Sequence, residues 1–454
     1  MPPYLQQYLI SNDITEQFIK TNHQVIIIGD GIMALALAYY LSQNHDGEDI
    51  IIVSPTSLGA SIKNRQWAMV HSNYQVAANT DFFEMNLRLW EGLSHELGYN
   101  VMLSQPGLIN ILLNDRMIKN ARYRGNAMRL HGIDADYLEL AELRRILPLM
   151  DFSDTARFSI LAGLYQGRAG FFNPMASFYG FWRALSPRRV KIIDNANIKE
   201  LVFGKHRSNG IKISKHNQTY HIQGQKIVLA MTDGGANFIT TNPDIKKFFG
   251  KEMTAHFGKT MANGAWPFMA AQEIELLSES LSPMIDKIIH CPLTIGGVAG
   301  QAGGMASAFI GQGELGNVWL RLFIRQPLST TNNNSDEFFT HLDKIDNADN
   351  LSLLSQTLAR VAVQLIPALK RVKILTKWHQ TFLSSCDGSL IIDKLFYKNG
   401  LYIISGIDGD GYAIAPAAAM AMAHLLATNQ PHPSAQQYHF QRFHKGQFMY
   451  EKAV

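Results

Sequence analysis

Gly29, Gly31 and Ala34 follow the spacing G-x-G-x-x-A, set between an apolar run at Val25–Ile28 and a helix-forming stretch from Ile32 to Leu41. Glycine at 29 permits a tight turn, glycine at 31 lets the backbone approach an anion, and alanine at 34 allows close helix packing. The amides and positive dipole end of the helix then face negative charge. This is pyrophosphate-binding chemistry, with Gly29, Gly31, Ile32, Met33 and Ala34 around the phosphates of a dinucleotide, either FAD or a nicotinamide. A second apolar run, Ile50–Val53, completes a strand–helix–strand unit with an amphipathic helix at its centre. Ser54 then stands where Asp or Glu would bind the ribose hydroxyls, so adenosine affinity must come largely from elsewhere.

A second glycine-rich turn lies near the C-terminus. A strand at Leu401–Ser405 leads into Gly406-Ile-Asp-Gly409-Asp410-Gly411 and Tyr412, and a helix follows from about Pro416. Proline in a first helical turn loses no hydrogen bond. One reading is an ordinary strand–loop–helix connection. The other is a helix aimed at the pyrimidine end of a flavin, where it stabilises the negative charge of the reduced ring. Two such sites at opposite ends of the chain favour a long cofactor that bridges both.

The elements that position these turns alternate along 454 residues between two kinds of segment, which suggests interleaved domains. Helices are expected at 87–97, 121–130, 140–146 and 178–185, and a strand at 107–113. Strands at 191–193, 198–203 and 226–230 are expected to return to the first sheet. Glycine-dense residues 294–316 and the Thr/Asn run at 330–335 read as loops. With 17% charged residues, a net charge of +4 and no long basic run, nucleic acid is not an expected partner. Cys291 and Cys386 match no disulfide framework or metal-ligand spacing, so a reducing cytoplasm is the expected setting, with no metal. The polar start lacks signal-peptide character, and the alanine-rich stretch 412–427 reads as a buried helix rather than a membrane span.

Beyond these features the chain resembles the FAD-dependent D-amino-acid oxidase and glycine oxidase superfamily, and within it the β subunits of heterotetrameric sarcosine oxidase. The resemblance is carried by Gly31-Ile-Met-Ala-Leu-Ala-Leu-Ala-Tyr-Tyr-Leu41, the Ser72-Asn-Tyr74 step, residues 99–107, Tyr165-Gln-Gly-Arg-Ala-Gly170, residues 277–286 and the closing glycine loop with Pro416. It implies an α/β fold: a discontinuous Rossmann-like FAD domain (22–90, 155–245 and 375–454, after a leader at 1–21) and a substrate domain on a mostly antiparallel sheet (91–154 and 246–374). It also implies removal of a hydride from the carbon next to an amine nitrogen, with oxygen or another electron acceptor and with partner subunits as further expectations. The segment Leu58 to Arg65 would pass the flavin, Gly409, Asp410, Gly411 and Tyr412 would line its pyrimidine edge, and Phe309 and Trp319 would lie near the substrate.

Three positions depart from the relatives. The arginine and lysine that clamp a small carboxylate are here His71 and Ala413, and the histidine that carries covalent FMN falls near Asn173 to Ala176, where there is none. One noncovalent FAD and no FMN are therefore expected. His71 is a candidate to pair with substrate or act as a base, or else a histidine satisfied at a domain seam. His379, after Trp378, is a second candidate for catalysis. Arg65 and Lys63 read as FAD phosphate contacts or solvated loop charges, and Cys386 as a buried inert thiol; Lys259 is not assigned the part of an oxygen-activating lysine, because the sequence around it does not match. Amine or amino-acid-derivative oxidation is the leading expectation. A non-catalytic or weakly catalytic FAD-binding subunit is the alternative, and a nicotinamide dehydrogenase a third reading through Ser54.

Overall fold

Val25–Ile28 run through the molecule with no face open to solvent, because the strand lies mid-sheet with a layer on either side. The computed structural model describes residues 22–44, 47–62, 65–204, 208–230, 268–295, 304–326, 348–395, 400–406 and 411–451. Residues 1–21, 330–335, Lys63, Lys259, Gly409 and Asp410 lie outside that set. His23–Ile28 pairs in parallel with Ile50–Val53 on one side and Gly224–Ala230 on the other. Lys191–Ile193 and Leu401–Ser405 extend the parallel set, and Ile391–Lys394 adds an antiparallel edge. Helices Ile32–Leu41, Pro174–Leu185 and Ala415–Thr428 pack on one face, and the three-stranded meander Asn197–Phe203, Ser208–Lys215 and Gln218–Ile222 covers the other.

Sandwiched in this way, Ile32–Leu41 is buried on every side, so it is not the expected amphipathic helix; Ala34, Ala36 and Ala38 let its neighbours approach. Asn197–Phe203 likewise belongs to the meander and not to the parallel sheet, because its antiparallel partner is Ser208–Lys215.

The second layer is an eight-stranded sheet in the order Ile374–Ser385, Phe268–Ser280, Asn317–Gln326, Gly304–Gln312, Ile288–Ile295, Leu108–Leu112, Ala162–Gln166, Asp136–Glu139. Its pairings are antiparallel except between Ile288–Ile295 and Leu108–Leu112. Two of its strands, Ala162–Gln166 and Ile374–Ser385, come from stretches expected in the nucleotide-binding layer. Gly304–Gln312 is also a strand where a loop was expected. Its glycine has a packing reason: a Cβ at Gly311 would lie 2.3 Å from the indole of Trp319, its cross-strand partner. Helix Ala348–Leu365 packs on the outer face, over Ile274, Leu276, Ile289 and Ile310.

Candidate active site

Two glycine landmarks meet at one place. At the first, a Cβ on Gly29 would stand 2.9 Å from the Ala230 carbonyl oxygen and 3.2 Å from the Ala34 methyl, so close packing of strand and helix requires glycine there. Gly31 is the N-cap of Ile32–Leu41 in extended backbone, with no side-chain cap and no acid in the first turn. That start is suited to a phosphate. Asp30 turns its carboxylate to the next loop, accepting from Thr56 Oγ1 and the Ser61 amide, both at 3.1 Å, while its carbonyl accepts from Gly59 N at 2.6 Å. Burial pushes the Asp30 carboxyl above its usual range against those hydrogen bonds. Ser54 is buried, and its hydroxyl donates to the Thr56 carbonyl at 2.6 Å.

The second landmark is tied to the same loop. Tyr412 is fully buried and shares its phenolic proton between Ser61 O (3.2 Å) and Gln380 Oε1 (2.7 Å). Residues 59–61 therefore link the first glycine turn to Gly411 and Tyr412. The start of helix Ala415–Thr428 differs from expectation. Ala415 N donates to Tyr412 O, Pro416 has no N–H, and Ala417 N donates to Asn86 Oδ1, so these first-turn amides already have partners. The Ala413 carbonyl accepts from Asn86 Nδ2 and Trp90 Nε1.

Facing this junction is one continuous row across the large sheet. Asn110 stands opposite His290, His290 opposite Phe309, Phe309 opposite Arg321, Arg321 opposite Glu275, and Glu275 opposite Trp378. Residues opposed in this way share a face. The row lies against the segment Arg65–Tyr74. Arg65 Nη2 contacts Glu273 Oε1 at 2.5 Å, and Arg321 Nε contacts the same oxygen at 2.8 Å. Arg65 is also stacked over Tyr412 (4.4 Å) and Trp378 (4.9 Å), and Arg321 Nη2 donates to Trp67 O. Both arginines thus share the carboxylate of a glutamate that is itself fully buried.

His71 sits at the other end of the row. Its Nδ1 accepts from the Asn73 amide, and its ring stacks on Tyr74, which stacks in turn on Phe83. Helix Asp115–Leu130 closes this end and brings Arg124, which donates to Asn73 O at 2.9 Å and lies 3.6 Å from Glu451. Glu451 accepts from the amides of Gln75 and Val76 and from Asn79 Nδ2, capping helix Ala77–Leu97, whose own N-cap is the apolar Val76. Ser72 is fixed by Glu84 and Gln166.

This combination of a dinucleotide turn, a second glycine turn joined to it and a sheet face closed over both agrees with the comparisons. The family described as FAD dependent oxidoreductase matches residues 24–250 of the 454. The chain belongs to that family. Sarcosine oxidase subunit beta of Rhizobium meliloti (strain 1021) is 29% identical to this FAD-dependent oxidoreductase over 433 residues, 95% of this chain and 91% of the relative. Among solved structures, L-proline dehydrogenase from P. horikoshii has a TM-score of 0.68 at 18% identity, over 94% of this chain and 98% of that one. Glycine oxidase from Bacillus cereus ATCC 14579 has a TM-score of 0.64 at 15% identity, over 92% and 98%. The fold of the oxidoreductase is the mixed α/β arrangement of these structures.

Several residues occupy other places than expected. His379 pairs with Ile274 on the outer face, one residue out of phase with Trp378, so it points away from the row and is not a catalytic candidate. Arg65 is not a solvated charge. Its partner is Glu273 in the large sheet, and that arrangement lends no support to a phosphate contact. Phe309 is in the row, while Trp319 is buried beside it with Trp67 and Phe171. Asn173 caps helix Pro174–Leu185 by accepting from Ala176 N, and it donates to Gln66 O. The Cys386 thiol is pushed up to about 12 by burial, and so is that of Cys291, which suits inert sulfur. Sequence reasoning passed over Asn110, His290, Glu273, Glu275 and Arg321. Their only signal is a polar residue recurring within apolar strands, and it becomes a site only through the register. Among the described residues no group of three His, Cys, Asp or Glu is placed to hold a metal, and no helix is long and apolar enough to cross a membrane.

Proposed function

We propose that the protein oxidises an amine or amino-acid derivative, transferring a hydride from the carbon next to nitrogen to noncovalently held FAD. The observation that carries this is the polar row from Asn110 to Trp378 lying against Arg65–Tyr74, beside the loop that joins the two glycine turns. The names of the relatives, a sarcosine oxidase subunit, a proline dehydrogenase and a glycine oxidase, support an amine substrate. When bound, FAD supplies the electron acceptor. The residues present fit it: the uncapped helix start behind Gly31 receives phosphate, and Asp30 is turned aside. The chain's own part is to exclude water with Phe309 and Trp378, to hold Arg65 and Arg321 on the shared carboxylate of Glu273, and to orient the substrate from the His71 end. With His71 and Ala413 in the clamp positions, and both arginines sharing a glutamate, a small free carboxylate finds no dedicated cation pair.

The substrate test is anaerobic reduction of the bound flavin. Amines and derivatised amino acids without a free carboxylate are expected to bleach it, and sarcosine, glycine and proline to do so poorly. The loss of two charge-assisted hydrogen bonds, each about 1.5–3 kcal/mol, corresponds to two orders of magnitude or more in small-acid binding. Efficient reduction by sarcosine would contradict the clamp argument. A second reading, an FAD-binding subunit with little or no catalysis in a larger enzyme, is favoured by the relative being a subunit. It becomes the preferred reading if no amine bleaches the flavin.

A further inference from the structure

His290 has the most specific unassigned chemistry in the molecule. Its Nδ1 lies 2.6 Å from Asn110 Oδ1. A carbonyl oxygen can only accept, so Nδ1 carries the proton and Nε2 the lone pair. The ring plane is fixed by stacking on Phe309, with centroids 4.5 Å apart and planes within 16°. Nε2 is buried and has no hydrogen-bond partner among the described residues. Burial above all, with His71 and Arg124 adding to it, lowers the imidazolium to about 3, so the ring is neutral near pH 7.

A fixed, buried lone pair is complementary to an N–H donor and repels a carboxylate oxygen. We propose that His290 is a specificity residue whose Nε2 accepts a hydrogen bond from an uncharged N–H of the substrate, so that amino-acid amides, through the carboxamide N–H, are selected over the corresponding free acids. This rests on the reading of the row as the face that receives an amine substrate. Phe309 orients the acceptor and Asn110 holds its tautomer, while Arg321, opposite Phe309 in the row, is held by Glu273.

The test uses the FAD-loaded full chain and two probes that carry no amine and cannot be oxidised, propionamide and propionate, titrated calorimetrically. The wild-type protein is expected to bind propionamide about tenfold or more tightly than propionate, the order expected for one satisfied rather than repelled buried acceptor. His290→Leu is expected to lose that preference, and His290→Gln, which keeps an acceptor oxygen, to retain most of it. Equal binding of the two probes by the wild-type protein overturns the proposal even if the leucine variant does not fold, and so does a folded leucine variant with unchanged preference. Because neither probe is oxidised, a clear amide preference in a protein whose flavin no amine reduces supports the His290 assignment and counts only against the amine-oxidation reading.

Discussion

Glu273 is the residue on which the charge balance of the site depends. It is fully buried and a single oxygen meets both Arg65 and Arg321, so neutralising it leaves two guanidinium groups facing each other out of water. Removing one member of such a buried cluster costs about 3–5 kcal/mol. Glu273→Gln is therefore expected to lower the unfolding free energy by that amount, read as a lower urea midpoint at an unchanged slope; a loss below about 1 kcal/mol would show that water screens the cluster. The two glycines of the first turn separate two roles. A Cβ at Gly29 meets the Ala230 carbonyl at 2.9 Å, so Gly29→Ala is expected to destabilise the fold by about 1–3 kcal/mol. Gly31 has negative φ and ordinary extended backbone, so Gly31→Val is expected to fold yet purify without yellow colour, because the bulk intrudes on the phosphate position. A fully flavinated Gly31→Val protein would place the cofactor elsewhere.

Among the elements, helix Pro174–Leu185 permits a clean distinction between a structural and a cofactor role. Asn173 caps it and stands near the position where the sequence resemblance would have placed a covalent second flavin, so Asn173→Ala is expected to cost about 1 kcal/mol of stability while leaving the flavin content unchanged. Loss of colour with no change in stability would reverse that assignment. The elements also show what the sequence made legible. Ile50–Val53 and Leu401–Ser405 are found where their uninterrupted apolar runs place them, since a strand covered on both faces needs no partner's register to be recognised. In the large sheet one face is polar and the other apolar, and the assignment of each residue depends on pairing. His379 was drawn to the wrong face by a single step of alternation. Gly304–Gln312 looked like a loop because the demand for Gly311 comes from Trp319, on another strand. His290 carries no local mark at all; its place beside Asn110 and Phe309 is a property of three strands taken together.

At the scale of the whole molecule, the joint between the two sheets carries a pH signature. The pKa of His290 falls from about 6.5 in the unfolded chain to about 3 in the folded one, so the folded state binds fewer protons between those values. Stability is then fully present above about pH 6.5 and is lost as the pH falls toward 3, by at most about 1.4 kcal/mol per pH unit for this one group. Urea titrations at pH 7, 6 and 5 are expected to show that slope, and His290→Gln to lose it; identical slopes in the two proteins would assign the effect to other groups. Acid precipitation of the purified protein is expected to release all the flavin into the supernatant, while colour in the pellet would reveal a covalent bond. The Glu451 cap on helix Ala77–Leu97 also bears on how the chain is made. Gln75 and Glu451 are 376 positions apart, and at roughly 5–20 residues per second a ribosome needs about 20 to 75 s to travel from one to the other. For all of that time the helix start beside His71 has no carboxylate, and for most of it the parallel sheet lacks Leu401–Ser405. The nascent polypeptide thus emerges with its nucleotide-binding turn early and the carboxylate that supports its substrate face long afterwards.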